Sequence, residues 1–201
     1  VISDRKKTNR SKDHGLDIFG DNFAYDFADD PAAARAADDA KISTLGLSRK
    51  DFRFQIGDAA IKNQQFFVNA QTALTDKLDF YSFGGVSLRQ GNGYGFRRLP
   101  SDLSGEALQV YPNGFQATLK SNVNDFSNST GLRYAYDGWN IDLSNTLGLN
   151  TFKYNVENSI NQSLGFSSPT DFYAGRHQFL QNTVNLDFSK KINQNISLAF
   201  G

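Results

Sequence analysis

From residue 139 to residue 150 the side chains alternate with one lapse. Trp139, Ile141, Leu143, Leu147 and Leu149 take one parity, and Asn140, Asp142, Ser144, Thr146, Gly148 and Asn150 the other, with Asn145 the interruption. Alternation at period two means a strand with one greasy face and one wet face. The pattern recurs: Leu180, Val184, Leu186, Phe188 and Ile192 alternate with Gln181, Thr183, Asn185, Asp187, Ser189 and Lys191, lapsing at Asn182. Phe66, Val68, Ala70, Thr72 and Leu74 oppose Asn69 and Gln71; Leu132, Tyr134 and Tyr136 oppose Ser127, Ser129, Gly131 and Arg133; Ile196, Leu198 and Phe200 open another copy. Residues 78–89 are less regular, because Phe80, Tyr81 and Phe83 fall on both parities.

The connections alternate in length. Thr75, Asp76 and Lys77 make one tight turn; Asp137-Gly138, a dipeptide suited to a type I′ hairpin, makes a second; Asn193, Gln194 and Asn195 make a third. Between them the pattern predicts long loops over 6–62, 90–125 and 155–179, flanking hairpins at 63–89 and 126–154, with the end of a strand at 1–5 and the start of a hairpin at 180–201. Long loops are uncommon in compact soluble domains. Short turns at one end and long loops at the other are the habit of outer-membrane barrels, whose turns are periplasmic and loops extracellular. Trp139, Tyr134 and Tyr136 cluster beside the Asp137-Gly138 turn, where an interfacial aromatic girdle would lie.

The expectation is therefore an all-β chain: an antiparallel up-and-down segment of a transmembrane β-barrel, with long extracellular loops and one short loop helix. Asp30-Pro31 ahead of an alanine-rich run supplies that helix with its N-cap and first-turn proline, and residues 16–27 read as a small hairpin. Five clear strands fall short of the roughly eight of the smallest such barrels, so more strands are expected on both sides. No signal-peptide pattern precedes the first strand and the last residues read as strand, so both ends are expected to be cut from something longer.

Composition removes several function classes. Lys+Arg and Asp+Glu both number 21, so no global basic field recommends nucleic acid. The chain has no cysteine, which excludes disulfides and thiolate chemistry. No long apolar run is present for a helical span, which a barrel does not need because alternate residues face its lumen. His14 and His177 stand far apart with no ligand pattern, and Asp17, Asp21, Asp26, Asp29 and Asp30 lack calcium-loop spacing, so neither metal nor cofactor is expected. Gly91, Gly93 and Gly95 are misplaced for a phosphate loop, and no nucleophile elbow or acid-base constellation points to an enzyme.

Several phrases together resemble the TonB-dependent outer-membrane receptors. They are Tyr81-Ser82-Phe83-Gly84-Gly85, Arg89-Gln90-Gly91 with Gly95-Phe96-Arg97-Arg98, Tyr111-Pro112-Asn113-Gly114-Phe115, Asn158-Ser159-Ile160-Asn161-Gln162-Ser163-Leu164-Gly165, and Ser168-Pro169-Thr170-Asp171-Phe172-Tyr173-Ala174-Gly175. The resemblance covers residues 56–201 and, more loosely, the start. It implies a barrel of about 22 strands with a plug in its lumen, a TonB-type energy-transducing partner, outer-membrane lipid around the wall, and uptake of a scarce small molecule such as a ferric siderophore, cobalamin or oligosaccharide. No plug or energy-coupling box is visible in these residues. A passive porin would share the wall, and a secreted β-sandwich adhesin or carbohydrate-binding module would instead bury the apolar faces against each other.

Within that frame Arg97 and Arg98 are candidates for an anionic ligand, since guanidinium forks hold carboxylates bidentately; ion pairing between loops, or from loop to plug, is the competing reading. Tyr111, Phe115, Phe172 and Tyr173 are candidates for stacking on a catecholate or sugar, against simple packing of loop on loop. Asn158, Ser159, Asn161 and Ser163 are expected to satisfy loop backbone groups. Asn140, Asp142, Ser144, Asn185 and Asp187 are expected to line the lumen.

Overall fold

The computed structural model describes residues 1–12, 17–20 and 30–201. The hairpin expected at 16–27, together with His14, Asp21, Asp26 and Asp29, lies essentially outside the described residues.

Seven strands form one antiparallel sheet in chain order: β1 (Ile2–Arg5), β2 (Ala60–Thr75), β3 (Leu78–Arg98), β4 (Phe115–Tyr136), β5 (Trp139–Glu157), β6 (Phe172–Lys191) and β7 (Ser197–Phe200). Each strand pairs with its sequence neighbours, and the sheet stays open, with β1 and β7 at its edges. All tight connections fall at one end. Asp137 and Gly138 both take positive φ there (47° and 75°), as a type I′ turn requires, and the Asn193 side chain accepts from the Asn195 and Ile196 amides to close the β6–β7 turn.

The strands run further than alternation predicts. β3 continues to Arg98 and β4 begins at Phe115, so the loop expected over 90–125 shrinks to 99–114; the one over 155–179 shrinks to 158–171. The reason is a change of face on β4 and β5 and, on β3, a stretch from Gln90 to Gly93 with no apolar side chain. In the turn-side half, Leu143, Leu147 and Leu149 of β5 share a face with Leu132 and Phe126 of β4 and with Leu186 and Leu180 of β6. Beyond Leu149 that face carries Thr151, Lys153, Asn155 and Glu157, while Phe152, Tyr154 and Val156 move to the other face, opposite Val123, Ser121 and Leu119. A single alternating register breaks down at this crossover although the strand does not.

No second layer covers the apolar face among the described residues. Leu143, Leu186, Val184, Leu180, Phe66 and Val68 are all exposed. The buried apolar cluster lies instead at the loop end, where Ile18, Ile42, Phe52 and Leu99 meet, with Phe19 and Leu47 packed beside them. Helix α1 (Pro31–Thr44) contributes Ile42, and Asp30 caps it by accepting from the Ala32 and Ala33 amides. Arg49 donates to the buried Asp38 at 2.9 Å and also to Asp39, fastening the residues after α1 back onto it. Asp17 accepts from the Phe19 and Gly20 amides, so it and Asp30 serve the local backbone.

Candidate functional site

Five of the six residues expected on loops occupy strand ends. Arg97 and Arg98 finish β3, Phe115 opens β4, and Phe172 and Tyr173 open β6; only Tyr111 is in a loop. A strand-end position holds a side chain more firmly than a loop tip, because the ladder fixes its backbone.

Arg97 and Arg98 part company. Arg97 is half-buried: its Nη2 donates to the Asn113 carbonyl at 2.9 Å and its guanidinium lies 5.9 Å from the Phe52 ring centroid. Burial pushes its pKa down, partly offset by the Asp51 carboxylate. These contacts give Arg97 the loop-to-loop role. Arg98 is exposed, 5.2 Å over the Phe96 ring.

The Tyr111 to Phe115 segment folds back on itself, its rings 4.7 Å apart, with the Gly114 amide donating to the Tyr111 carbonyl. Gly114 takes φ +67°, and a Cβ there would strike the Arg98 carbonyl, so the position requires glycine. Phe115 is buried, and the Tyr111 hydroxyl donates to the Ser159 carbonyl at 3.3 Å, which joins the 99–114 loop to the 158–171 loop. Burial and the Asp171 carboxylate both raise the Tyr111 pKa. This pair packs the loops together. Phe172 is half-buried and Tyr173 is exposed.

Asn158 and Asn161 serve the loop backbone with their side chains, as expected, whereas Ser159 and Ser163 take part through a backbone carbonyl and a backbone amide. Asn158 Nδ2 donates to the Gln116 carbonyl, Asn161 Oδ1 accepts from the Ser163 amide, and Ser168 Oγ accepts from the Asn161 amide. Glu106, from the short helix α2 (Gly105–Val110), accepts from the Phe166 amide at 2.9 Å and ties the same two loops.

Gln116 is the residue that sequence reasoning missed. Its side chain accepts from the Gln55 amide and donates to the Gln55 and Gly95 carbonyls, holding the loop before β2 against β3. A single glutamine beside Phe115 carries no pattern that would announce this. Gln116, Gln55, Tyr94, Arg97, Phe115 and Asn158 together line a polar hollow of about 300 Å³ among the loops.

On the sheet, Asn140, Asp142, Ser144, Asn185 and Asp187 do share one face, with Asp142 opposite Asp187 and Ser144 opposite Asn185. Asp142 accepts from the Tyr81 hydroxyl at 2.7 Å and from Arg133 Nε at 3.2 Å. The Arg133 guanidinium also lies 5.0 Å over the Tyr81 ring, so the three groups form one network on the polar face. Aromatic side chains gather at the tight turns: Tyr134 stacks on Tyr136, Trp139 meets Phe200 edge-on, and Lys190 lies 5.4 Å over Trp139.

No family model, no curated protein and no solved structure matches the chain.

Proposed function

We propose that the chain forms part of the wall and surface loops of an energy-coupled outer-membrane transporter of the TonB-dependent kind, capturing a scarce small molecule at its loop end. The observation that carries this reading is the uncovered apolar band. On β5 it runs from Trp139 to Leu149, roughly 34 Å along the strand at ~3.4 Å per residue. At the usual ~45° tilt that is about 24 Å of height, close to the ~25 Å apolar band of membrane barrels.

The rest is consistent with that placement. Strands of 16 to 22 residues exceed the ~9–11 needed to cross a bilayer, and the excess lies on the loop side, where the band ends. A face wetted by lipid needs no covering layer, whereas a β-sandwich adhesin needs one over Leu143 and Leu186. The polar face then lines the lumen, with Asn140, Asp142, Ser144, Asn185 and Asp187 toward water or a plug, and the loop hollow beside Arg97 faces the outside.

The test is conductance together with uptake. In planar bilayers the full-length protein should be electrically silent, and in cells the solute uptake it supports should stop when a protonophore collapses the inner-membrane gradient. Steady open-channel currents with gradient-independent uptake would make it a passive porin.

A further inference from the structure

Lys153 on β5 and Arg176 on β6 are Cα partners, so two cations face each other directly across a strand pair, an arrangement that weakens a sheet. Both are exposed, and neither makes an ion pair or hydrogen bond with a described residue. Through the register they share their face with Lys62 on β2 and Lys120 on β4. Lys62 and Lys120 border a groove of about 390 Å³ that Lys6 also lines. Lys7, 4.3 Å over the Tyr94 ring, has its pKa lowered by burial and then by Lys120, so the cations here repel one another. Asp4 pairs with Lys6 at 3.1 Å and Glu157 with Lys120 at 2.6 Å, two carboxylates against six cations among the described residues.

The height of this row is what gives it meaning. Lys153 stands four residues beyond Leu149, Lys62 four before Phe66, and Arg176 four before Leu180, each apolar residue being the last of the band on its strand. Four residues are about 13 Å along a strand, or roughly 9 Å of height at membrane tilt. Headgroups occupy about 5 to 8 Å beyond the hydrocarbon on each side, and lysine and arginine bend toward that depth.

We propose that this outward basic row binds the phosphates of an anionic lipid in the leaflet on the loop side, the phosphates bridging cations that otherwise repel. The proposal rests on the membrane-wall reading.

In the test, the full-length protein in zwitterionic micelles is titrated with a diphosphorylated disaccharide lipid, with phosphatidylcholine and with inorganic phosphate, and binding is read by native mass spectrometry. The diphosphorylated lipid should bind in preference to the other two, and each of Lys62→Gln, Lys120→Gln, Lys153→Gln and Arg176→Gln should weaken it about fivefold. Lys153→Gln should also raise the unfolding midpoint without that lipid and lower it in its presence, a reversal that a purely structural lysine would not show. Equal binding by the fourfold variant, or inorganic phosphate bound as tightly as the lipid, would overturn the proposal. Insertion of wild type and variant alike into phosphatidylcholine bilayers would leave the wall reading standing in that case; failure of the wild type to insert would sink the wall reading itself.

Discussion

The Tyr81 hydroxyl on β3 reaches over β4 and donates to the Asp142 carboxylate on β5 at 2.7 Å. It can do so because its register partner on β4 is Gly131, where any Cβ would run into the tyrosine ring. The missing side chain leaves a trough, the ring fills it, and three strands are joined by one residue.

Tyr81→Phe keeps the ring and removes the bond, which should cost about 1.5 kcal/mol, the low end for a hydrogen bond to a charged acceptor. Gly131→Val displaces the ring as well and should cost more. Urea unfolding of the membrane-inserted full-length protein measures both, and equal losses would contradict the trough.

Asn145 and Asn182, the two lapses in the alternation, lie on the apolar face, where Asn145 Nδ2 donates to Asn182 Oδ1 and to the Thr183 carbonyl. Asn145→Leu alone strands the Asn182 amide in an apolar setting and should destabilise by about 1–2 kcal/mol. Replacing both with leucine should recover most of the loss. A double-mutant cycle reads the coupling, and strict additivity would mean that the pair does not interact.

That pair shows what could and could not be read from the residues. Alternation marks the five long strands, irregularly in β3, and the opening of β7, but not the four-residue β1, and Asp137-Gly138 and Asp30-Pro31 announce a turn and a helix start, because each is local chemistry. Asn145 and Asn182 looked like errors in the pattern, since nothing in one strand reveals its partner in the next. The outer half of β4 escapes a period-two reading because its apolar residues change face beyond Phe126, and that of β3 because Gln90 to Gly93 carries no apolar side chain at all. At the loop end, Arg97 and Tyr111 were visible as chemistry, but their duties depend on Asn113, Phe52 and Ser159, contacts that only folding creates.

Leu143→Lys or Leu186→Lys should cost about 2–4 kcal/mol, the penalty for a cation near mid-membrane on a lipid-facing position. Asn185→Lys, on the opposite face, should be near neutral. Unfolding midpoints in vesicles separate the two, and equal penalties on both faces would contradict the lipid-facing assignment.

The Asp51 carboxylate accepts from the Ser48 amide at 2.8 Å and from the Ser48 hydroxyl at 3.0 Å, and these bonds hold its pKa below the ordinary 3.8. A lowered folded pKa contributes stability that is fully present above the unfolded value and is lost as the pH falls through the folded one. Protection of the Ser48 amide from hydrogen exchange, relative to Asp51→Asn, should therefore persist at neutral pH and fade only below about pH 3.8. A difference unchanged down to strongly acidic pH would remove the role given to Asp51.

Leu143 and Ser144 are neighbours on β5 with opposite orientations, and the chain has no cysteine to interfere with labelling. Spin labels at Leu143→Cys and Ser144→Cys in the bilayer-inserted full-length protein can be compared for relaxation by oxygen, which concentrates in hydrocarbon, and by a water-soluble nickel chelate. The account predicts that the label at 143 responds to oxygen and the label at 144 to nickel; nickel access at 143, or the same response at both, would contradict it.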